Sequence, residues 1–318
     1  MTGVADRPTL DGGQGTETAG GDGILAPRRT AAAGRRRLAA CVAVALGAIL
    51  VAATAAGDSI VAQTIPGHWR LTWSDEFIGP PGAAPDPALW RPHTGGHGWG
   101  NKEREMHTAD TANAALDGNG HLAITARRDT SGLHTCWYGP CTYTSARLTT
   151  LGTFSPQYGR IEARIRLPHG RGMWPAFWML GANGADVGWL NAGEIDIMEN
   201  VGHDMHTVFG SLHGPGPRYG KNGLTAAYRL PDGASFSNDF HTFAVTWTPD
   251  TISWYVDGHR YQTRTPADTG SDGWVFNHPF FLILNLAIGG TWPGDPDTMT
   301  PFPQSMLIDY VRVYEPAG

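Results

Sequence analysis

Apolar and polar side chains alternate along several segments of this sequence, and a period of two residues is typical of β-strands with one buried face. In 241–247, Phe243, Val245 and Trp247 share one face, opposite Thr and Ala side chains. A second such segment ends at an Asp-Gly pair, 257–258, which favours a tight hairpin turn. Further alternating segments lie at 160–167, 252–256 and 307–314. No segment after residue 66 has an apolar period of 3.6 residues over three turns, so we predict an all-β fold.

The composition of the 318-residue chain narrows the class of protein further. Hydrophobic residues make up 41% and charged residues 16%, which is too apolar for a disordered chain and too poor in charge for a coiled coil. The formal net charge is −6, and no run of basic residues occurs beyond the first 40 positions. We therefore expect no nucleic acid among the partners of this protein.

The first part of the chain has the pattern of a leader and not of a folded domain. No Phe, Tyr or Trp precedes Trp69, and residues 1–34 are rich in Gly, Ala, Thr and Asp, which predicts a flexible polar tail. Residues 35–57 contain three arginines and then an uncharged apolar run, the pattern of a signal peptide or a membrane anchor. Small residues at 53–55 favour cleavage, whereas the long tail favours an anchor. We expect a secreted protein, with a membrane-anchored extracellular domain as the alternative, and a folded domain at 66–318.

The cysteines agree with export. Cys41 lies in the apolar run and would leave with a cleaved signal. Cys136 and Cys141 are separated by a segment that contains Gly139-Pro140, and a turn there can bring the two cysteines within bridging distance. An extracellular compartment lets thiols oxidise, so we predict a disulfide between Cys136 and Cys141.

Three acidic residues, Glu194, Asp196 and Glu199, lie within one short segment, with large apolar residues between them. In a regular strand Glu194 and Asp196 share a face, and Glu199 points to the opposite, apolar face. Burying a lone carboxylate is costly. One extra residue in the strand, a β-bulge at Met198 or Ile197, returns Glu199 to the face of the other two acids. We predict that bulge.

The bulge gives the two glutamates a separation that suits chemistry on sugars. Leaning toward each other on a curved strand, the carboxyls of Glu194 and Glu199 would lie about 5–6 Å apart, as in retaining glycosidases. Asp196 between them would share a proton with the nucleophile. Like charges oppose double ionisation, so one Glu should stay protonated near neutral pH and act as a general acid. Trp174 and Trp178 share one face of a second predicted strand and would offer rings for a sugar to stack on.

Eight motifs, in order along residues 73–314, resemble those of laminarinase-type members of glycoside hydrolase family 16. They are WSDEF at 73–77, GWGN at 98–101 with Glu103, YTSAR at 143–147, GRIE at 159–162, WPAFW at 174–178, GEIDIME at 193–199, NLAIGGTWPG at 285–294 and DYVRVY at 309–314. The resemblance implies a concanavalin A-like β-jelly-roll sandwich of two antiparallel sheets with an open concave cleft. Residues 66–318 would then be a glycoside hydrolase catalytic domain.

The resemblance also implies roles for individual residues. Glu194 would be the nucleophile, Asp196 its helper and Glu199 the acid/base, and in this family the strand with the inserted Met is associated with β-1,3-glucanases. The expected reaction is cleavage of internal β-1,3-glucosidic bonds in a polysaccharide substrate, a laminarin-type β-glucan, by double displacement. Seven further positions would line the cleft and bind substrate: Asn101, Arg147, Trp174, Trp178, His213, Asn285 and Trp292.

Members of this family often hold a structural Ca²⁺, and the resemblance assigns its ligands here to Glu76, Gly120 and Asp309. Two carboxylates and a backbone carbonyl are oxygen ligands of the kind that Ca²⁺ takes. We expect no cofactor for catalysis itself. We also expect a monomer, because the sequence gives no sign of oligomerisation.

Two departures from the family pattern leave the exact substrate open. Lys102 and the three residues after it differ from the run found in many family members. The segment of Cys136 and Cys141 is an insert next to Arg147, where it would shape a wall of the cleft. One alternative is the same chemistry on another polysaccharide, such as a mixed-linkage glucan or a galactan, or transfer between glucans. The other is a non-catalytic β-glucan-binding protein, although the presence of all three acids argues against it.

Overall fold

The structure, a computed structural model, describes residues 64–65, 69–220, 222–270 and 273–317. The predicted tail at 1–34 and the predicted signal peptide or anchor at 35–57 lie outside these residues. In the described ranges, no helix combines the length and the apolar character needed to cross a membrane. The first described strand begins at Thr64, close to the start of the predicted domain.

Strands dominate the described residues. In chain order they are β1 (Thr64–Ile65), β2 (Trp69–Asp75), β3 (Arg91–Pro92), β4 (Glu105–His107), β5 (Ala114–Leu116), β6 (Leu122–Arg128), β7 (Thr135–Cys136), β8 (Gly139–Pro140), β9 (Tyr143–Ser145), β10 (Arg147–Thr149), β11 (Gly159–Arg166), β12 (Met173–Gly181), β13 (Glu194–Glu199), β14 (Thr207–His213), β15 (Ala226–Arg229), β16 (His241–Thr248), β17 (Thr251–Val256), β18 (His259–Arg264), β19 (Phe280–Ile288) and β20 (Gln304–Pro316). The helices of the same ranges are single turns: α1 (Gly184–Val187), α2 (Trp189–Ala192), α3 (Pro266–Thr269) and 3₁₀ turns at Pro217–Tyr219 and Pro231–Gly233. The predicted all-β fold is confirmed.

Most strands belong to two sheets that pack face to face as a jelly-roll sandwich, as predicted. One sheet has seven strands in the order β15-β14-β13-β12-β19-β10-β3, all paired antiparallel. The other has eleven strands along the path β18-β17-β16-β11-β20-β6-β9-β4, with β1, β2 and β5 beside it. Among the described pairs only β4 and β9 run parallel. Because successive side chains of a strand point to opposite sides of its sheet, each strand gives one row of side chains to the core.

The core between the sheets is made from the alternating apolar positions. Phe243, Val245 and Trp247 of β16 are almost fully buried, and burying a side chain of this size stabilises the fold by roughly 1.5–3 kcal/mol. The ring of Trp247 packs edge-on against Phe280 of β19, with 5.3 Å between centroids, and so joins the two sheets. Strand β19 is buried along its whole length because it lies between β12 and β10 in the middle of the seven-stranded sheet.

Two predicted local features are also present. Asp257 and Gly258 have positive φ angles of 49° and 80° and join β17 to β18 as a two-residue hairpin. Cys136 and Cys141 form a disulfide that closes the short hairpin of β7 and β8. Both predictions are confirmed.

Candidate active site

Strand β13, which carries the three acids, contains a one-residue bulge. On the side of β12, Asp196 pairs with Trp178. The next pair joins Met198 to Phe177, so Ile197 is the extra residue without a partner. The pairing of β13 with β14 is shifted over the same stretch. The predicted bulge is therefore confirmed and lies at Ile197.

The bulge decides which side chains of β13 face the core. Ile197 and Met198 follow each other in sequence, yet both are buried in the core between the sheets. Glu199 is thereby returned to the side of Glu194 and Asp196, away from the core. On that side the two glutamates are half-buried and Asp196 is buried.

A tryptophan of the opposite sheet supports the bulge. Trp254 of β17 is fully buried, and its Nε1 donates a hydrogen bond of 2.7 Å to the backbone carbonyl oxygen of Asp196. Gly210 of β14 lies beside the indole, and a Cβ at that position would stand 2.5 Å from Cδ1 of Trp254. A bulge disrupts the sheet ladder locally, so a donor from outside the sheet is valuable there. Sequence alternation predicted Trp254 only as a core residue, because nothing local indicates this contact.

Each glutamate accepts a hydrogen bond from an indole. Nε1 of Trp189 donates to Oε2 of Glu194 at 2.7 Å. Nε1 of Trp174 donates to Oε1 of Glu199 at 3.0 Å. Trp174 was predicted as a stacking residue, whereas Trp189, on the short helix α2, was not predicted. Its closeness in sequence to Glu194 was the available signal.

Asp196 lies between the glutamates and next to a histidine. His213 of β14 places Nε2 3.2 Å from Oδ2 of Asp196 and 3.9 Å from Oε1 of Glu194. In the register of the two strands, His213 stands directly opposite Glu194. The structure therefore brings His213 to the acids.

Burial raises the pKa of all three carboxyls. Together with the charge of Asp196, it raises the pKa of Glu194 to about 8, although neighbouring donors and cations favour the ionised form. Burial also raises the pKa of Asp196 to about 8. Burial and the charges of both neighbours raise the pKa of Glu199 well above its usual value. Glu199 is therefore the group that keeps its proton when another of the acids ionises.

Arg147 of β10 lies against two indole rings beside the acids. Its guanidinium carbon is 4.5 Å from the ring centroid of Trp99 and 4.7 Å from that of Trp178. Nε1 of Trp178 donates to Oδ1 of Asn285 at 2.7 Å, and Asn285 stands opposite Arg147 in the register of β10 and β19. Cation–π contacts hold such rings in place. Three predicted binding residues thus come together, and Trp99 of the GWGN motif joins them.

Trp292 stands at the edge of the site and is 41% exposed. Its ring packs edge-on against Trp174, with 5.4 Å between centroids, and against Phe209 of β14 at 5.1 Å. It therefore contacts the same indole that donates to Glu199. An exposed ring next to an acid is a surface on which a sugar can stack.

Asn101 connects the site to a second group of ionisable side chains. Its Nδ2 donates to Oε1 of Glu103 at 3.1 Å. Its backbone carbonyl accepts a hydrogen bond of 2.9 Å from the backbone N–H of Thr291, the residue before Trp292. The contact of Asn101 with the active site is thus this backbone hydrogen bond to the segment that carries Trp292.

Glu103, Glu105 and His107 are almost completely buried, and we call them the buried cluster. Oε2 of Glu105 accepts a hydrogen bond of 2.7 Å from the backbone N–H of Ile288, and its Oε1 lies 3.0 Å from Nε2 of His107. Burial raises the pKa of Glu105 to about 7. Burial opposes a charge on His107, but the two carboxylates raise its pKa. This cluster was not predicted from the sequence, although its Glu-x-Glu-x-His spacing places the three side chains on one face of an extended strand.

Two sets of side chains in the described part of the chain have ligand atoms within 4.8 Å of one another and the types that metals bind: the buried cluster, and Glu194, Asp196 and His213. The predicted calcium ligands lie elsewhere. Oxygens of Glu76 accept hydrogen bonds of 2.9 and 2.7 Å from Arg312.

Asp309, the second predicted calcium ligand, accepts a hydrogen bond of 2.6 Å from Arg164. Gly120, the third, supplies only a backbone carbonyl. A calcium site needs carboxylate charge that is not already neutralised, and here a guanidinium pairs with each carboxylate. As they are paired here, the two carboxylates do not fit the ion. The calcium site remains an expectation that rests on the resemblance alone.

Comparisons with known proteins agree with the geometry. The family model described as Glycosyl hydrolases family 16 matches residues 101–312. A beta-glucanase from Rhodothermus marinus is 41% identical over 264 residues, which cover 78% of this chain and 85% of that protein.

Solved structures are similar as well. The laminarinase catalytic domain from Thermotoga maritima MSB8 has 48% sequence identity and a TM-score of 0.72, over 78% of this chain and 99% of that one. The endo-beta-1,3-glucanase from Pyrococcus furiosus has 47% identity and a TM-score of 0.72, over 80% and 97% of the two chains. With paired glutamates on a bulged strand, aromatic rings around them and this similarity across the domain, the chain belongs to glycosyl hydrolase family 16 and is a glycoside hydrolase.

Proposed function

We propose that the protein is a secreted enzyme that cleaves internal β-1,3-glucosidic bonds of laminarin-type glucans and retains the configuration of the anomeric carbon. The observation that carries the proposal is the bulge at Ile197, which places Glu199 on the same side of β13 as Glu194. The relatives named as a laminarinase and an endo-beta-1,3-glucanase support the choice of substrate.

The reaction proceeds in two displacements. In the first, the carboxylate of Glu194 attacks the anomeric carbon and forms a covalent glycosyl-enzyme, while Glu199 gives its proton to the departing glycosidic oxygen. In the second, water attacks the same carbon, Glu199 takes a proton from it, and Glu194 leaves as a carboxylate. Two inversions restore the β configuration. Two carboxyls and a water balance the atoms and charges of both steps, so we propose no cofactor.

The surroundings of the two glutamates support this division of roles. Burial and Asp196 raise the pKa of Glu194 to about 8, while His213, Trp189 and Arg147 favour its ionised form. Burial and both neighbouring carboxylates raise the pKa of Glu199 well above its usual value, with only Trp174 and His213 in opposition. A nucleophile must be ionised and a general acid must hold its proton at the same pH.

Aromatic rings flank the pair at both ends of β13. Trp189 bonds to Glu194, and Trp292 packs on the indole that bonds to Glu199. Sugar C–H faces pack on such rings, so units on either side of the bond have a contact surface. Contacts on both sides of the cleaved bond favour attack inside a chain over attack at its end.

Secretion is supported by two separate features of the chain. The arginines and the apolar run at 35–57 have the pattern of an export signal or an anchor. The disulfide between Cys136 and Cys141 is of a type that persists in oxidising compartments.

The proposal is tested by incubating the protein with laminarin and measuring new reducing ends, with proton NMR of the first product. We expect β anomers to form first. Glu194→Gln should lower kcat by at least about a thousandfold while the circular dichroism spectrum and the melting temperature are preserved.

Four outcomes would contradict parts of the proposal. Release of the α anomer would exclude double displacement, and unchanged kcat in the Glu194→Gln variant would exclude this nucleophile. A higher kcat/KM on a mixed-linkage glucan or a galactan than on laminarin would show that the preferred substrate is that other polysaccharide. Laminarin binding without any hydrolysis would indicate a glucan-binding protein.

A further inference from the structure

Trp137 is half-exposed to solvent but held firmly. It lies in the hairpin closed by the disulfide of Cys136 and Cys141, and 47% of its surface is accessible. Its Nε1 donates a hydrogen bond of 2.7 Å to the backbone carbonyl of Glu103. Tyr138 packs edge-on against the ring, with 5.4 Å between centroids. The hydrogen bond and the second ring therefore hold this surface indole in a defined orientation.

The glycines of 95–100 allow the backbone to approach this hairpin closely. A Cβ on Gly98 would stand 2.9 Å from Cδ1 and Nε1 of Trp137, and a Cβ on Gly96 would stand 2.9 Å from Sγ of Cys136. Gly98 also has a backbone φ angle of 79°, which residues other than glycine rarely adopt. The indole thus packs on the loop that carries Trp99, the ring in contact with Arg147.

An open cavity of about 170 Å³ adjoins the exposed part of the indole. It is lined by Lys102, Arg104, Trp137, Gly290, Thr291 and Asp295. Nη1 of Arg104 lies 3.5 Å from Oδ2 of Asp295, so these two charges compensate each other. The cavity therefore combines an apolar ring with hydrogen-bonding groups at its rim, and Lys102 gives its lining a net charge of +1. An aromatic ring beside polar groups suits the stacking and hydrogen bonding of a sugar.

A backbone hydrogen bond links the wall of the cavity to the active site. The backbone N–H of Thr291, in its wall, donates to the carbonyl of Asn101, and Trp292 follows in the chain. In the seven-stranded sheet, β10 is separated from β13 by β12 and β19, which at the usual strand spacing is roughly 14 Å. Loop 95–101 packs on Trp137 and carries Trp99, whose ring lies against Arg147 of β10. A sugar at Trp137 would therefore lie on the β10 side of the site, outside the pair of glutamates.

We propose that Trp137, with Lys102 and Thr291 beside it, forms an accessory subsite that binds a distant unit of a long β-glucan chain. The inference rests on the proposed function, because it assigns a further part of the same substrate to this cavity. A glucosyl ring stacks on the indole, and its hydroxyls bond to the polar rim. The subsite favours long chains over short ones and leaves the chemistry at Glu194 and Glu199 unchanged.

The test compares laminarin with laminaritriose, because we expect only the longer chain to fill the site at the acids and a further site at Trp137 together. In the Trp137→Ala variant we expect KM for laminarin to rise about tenfold, with kcat unchanged and with kcat/KM for the trisaccharide unchanged. Trp137→Phe keeps a ring and should give a smaller rise. Leu133→Ala is the matched control, since Leu133 precedes the same hairpin and is 84% exposed. This variant should leave the kinetic constants for both substrates unchanged.

Equal losses on both substrates would show that Trp137 acts on the fold of the site, and no loss on either would show that it binds nothing; both results overturn the subsite. Calorimetric titration of laminarin into the wild-type and Trp137→Ala proteins at low temperature separates this proposal from the proposed function. If the wild-type protein binds laminarin without cleaving it, and Trp137→Ala weakens that binding, the subsite stands while the hydrolase proposal fails. If the wild-type protein neither binds nor cleaves β-glucan, both fail.

Discussion

Two groups of side chains in this protein contain nearly the same residue types but differ in their exposure to solvent. We call Glu194, Asp196, Glu199 and His213 the cleft cluster; it combines carboxylates with one histidine, as does the buried cluster of Glu103, Glu105 and His107. The glutamates of the cleft cluster are half-buried on the outer side of a bulged strand, whereas the buried cluster is closed off from solvent. A substrate can therefore reach only the first group.

The partners of the carboxylates differ as well. In the cleft cluster, indole N–H groups donate to Glu194 and Glu199. In the buried cluster, Glu105 accepts from a backbone N–H and lies beside His107, which can carry a compensating positive charge. The residue types alone therefore do not define an active site. Partial exposure leaves the glutamates of the first group free to exchange protons with a substrate, whereas the second group is closed off from solvent and compensates its charges internally.

The largest expected effect separates the two groups by activity. Glu199→Gln removes the general acid of the cleft cluster, so kcat on laminarin should fall about 10²–10⁴-fold, with no loss of melting temperature. The matched change in the buried cluster, Glu105→Gln, should leave kcat within about threefold and lower the free energy of unfolding by about 1–3 kcal/mol. Reducing-end assays and urea unfolding measure the two quantities. A collapse of kcat in Glu105→Gln would contradict the distinction between the clusters.

A second prediction concerns the support of the cleft cluster by the opposite sheet. Trp254→Phe keeps an aromatic ring in the core but removes the donor to the carbonyl of Asp196. We expect the free energy of unfolding to fall by about 1–3 kcal/mol and kcat to fall about tenfold, because the bulge loses its support. KM should change little. Trp247→Phe, which loses a buried hydrogen bond to Phe276 instead, is the control and should reduce stability without the same loss of kcat.

A third prediction uses the indole donors to move the pH profile. A hydrogen bond from an indole favours the ionised carboxylate, so its removal raises the pKa. Trp174→Phe should move the alkaline limb of kcat/KM, which reports Glu199, to higher pH by about one unit. Trp189→Phe should move the acidic limb, which reports Glu194, to higher pH by less, since Trp189 is 54% exposed. Shifts of the opposite limbs would exchange the roles of the two glutamates.

The smallest expected effect concerns the dependence of stability on pH. Burial raises the pKa of Glu105 to about 7, so the folded protein binds a proton there that the unfolded chain releases near pH 4.5. Stability from this group therefore falls as the pH rises between these values, and the raised pKa of His107 acts in the same direction at higher pH. Glu105→Gln should make the decline between pH 5 and pH 8 shallower. An equal slope in urea unfolding of both proteins would show that Glu105 does not titrate differently on folding.

Local patterns predicted much of this structure because strand alternation is a property of neighbouring residues. The burial of Phe243, Val245 and Trp247 and the hairpin at 257–258 follow from it directly. The bulge was also predictable, because without it Glu199 would face the core. Its support by Trp254 was not, since that contact joins residues of two different sheets.

The remaining differences have the same origin. Trp189 is close to Glu194 in sequence, but only the turn of α2 directs its indole to the carboxylate. The buried cluster depends on β4 lying next to the end of β19, where Glu105 bonds to Ile288. The calcium ligands expected at Glu76 and Asp309 rest on a family pattern, which does not contain their pairing with Arg312 and Arg164. Tertiary pairing decides all of these, and sequence spacing does not contain it.

The extra residue in β13 has a consequence for how the enzyme could be reshaped. If Ile197 were deleted, Glu194, Asp196 and Glu199 would alternate regularly with apolar residues and would share one face of an unbulged strand. What the additional residue contributes is a local bend and a stronger twist of the strand beneath the sugar. The path of the strand at this point is thus set by the number of its residues. Adding or deleting a residue would change that path in a way that side-chain exchange does not reproduce.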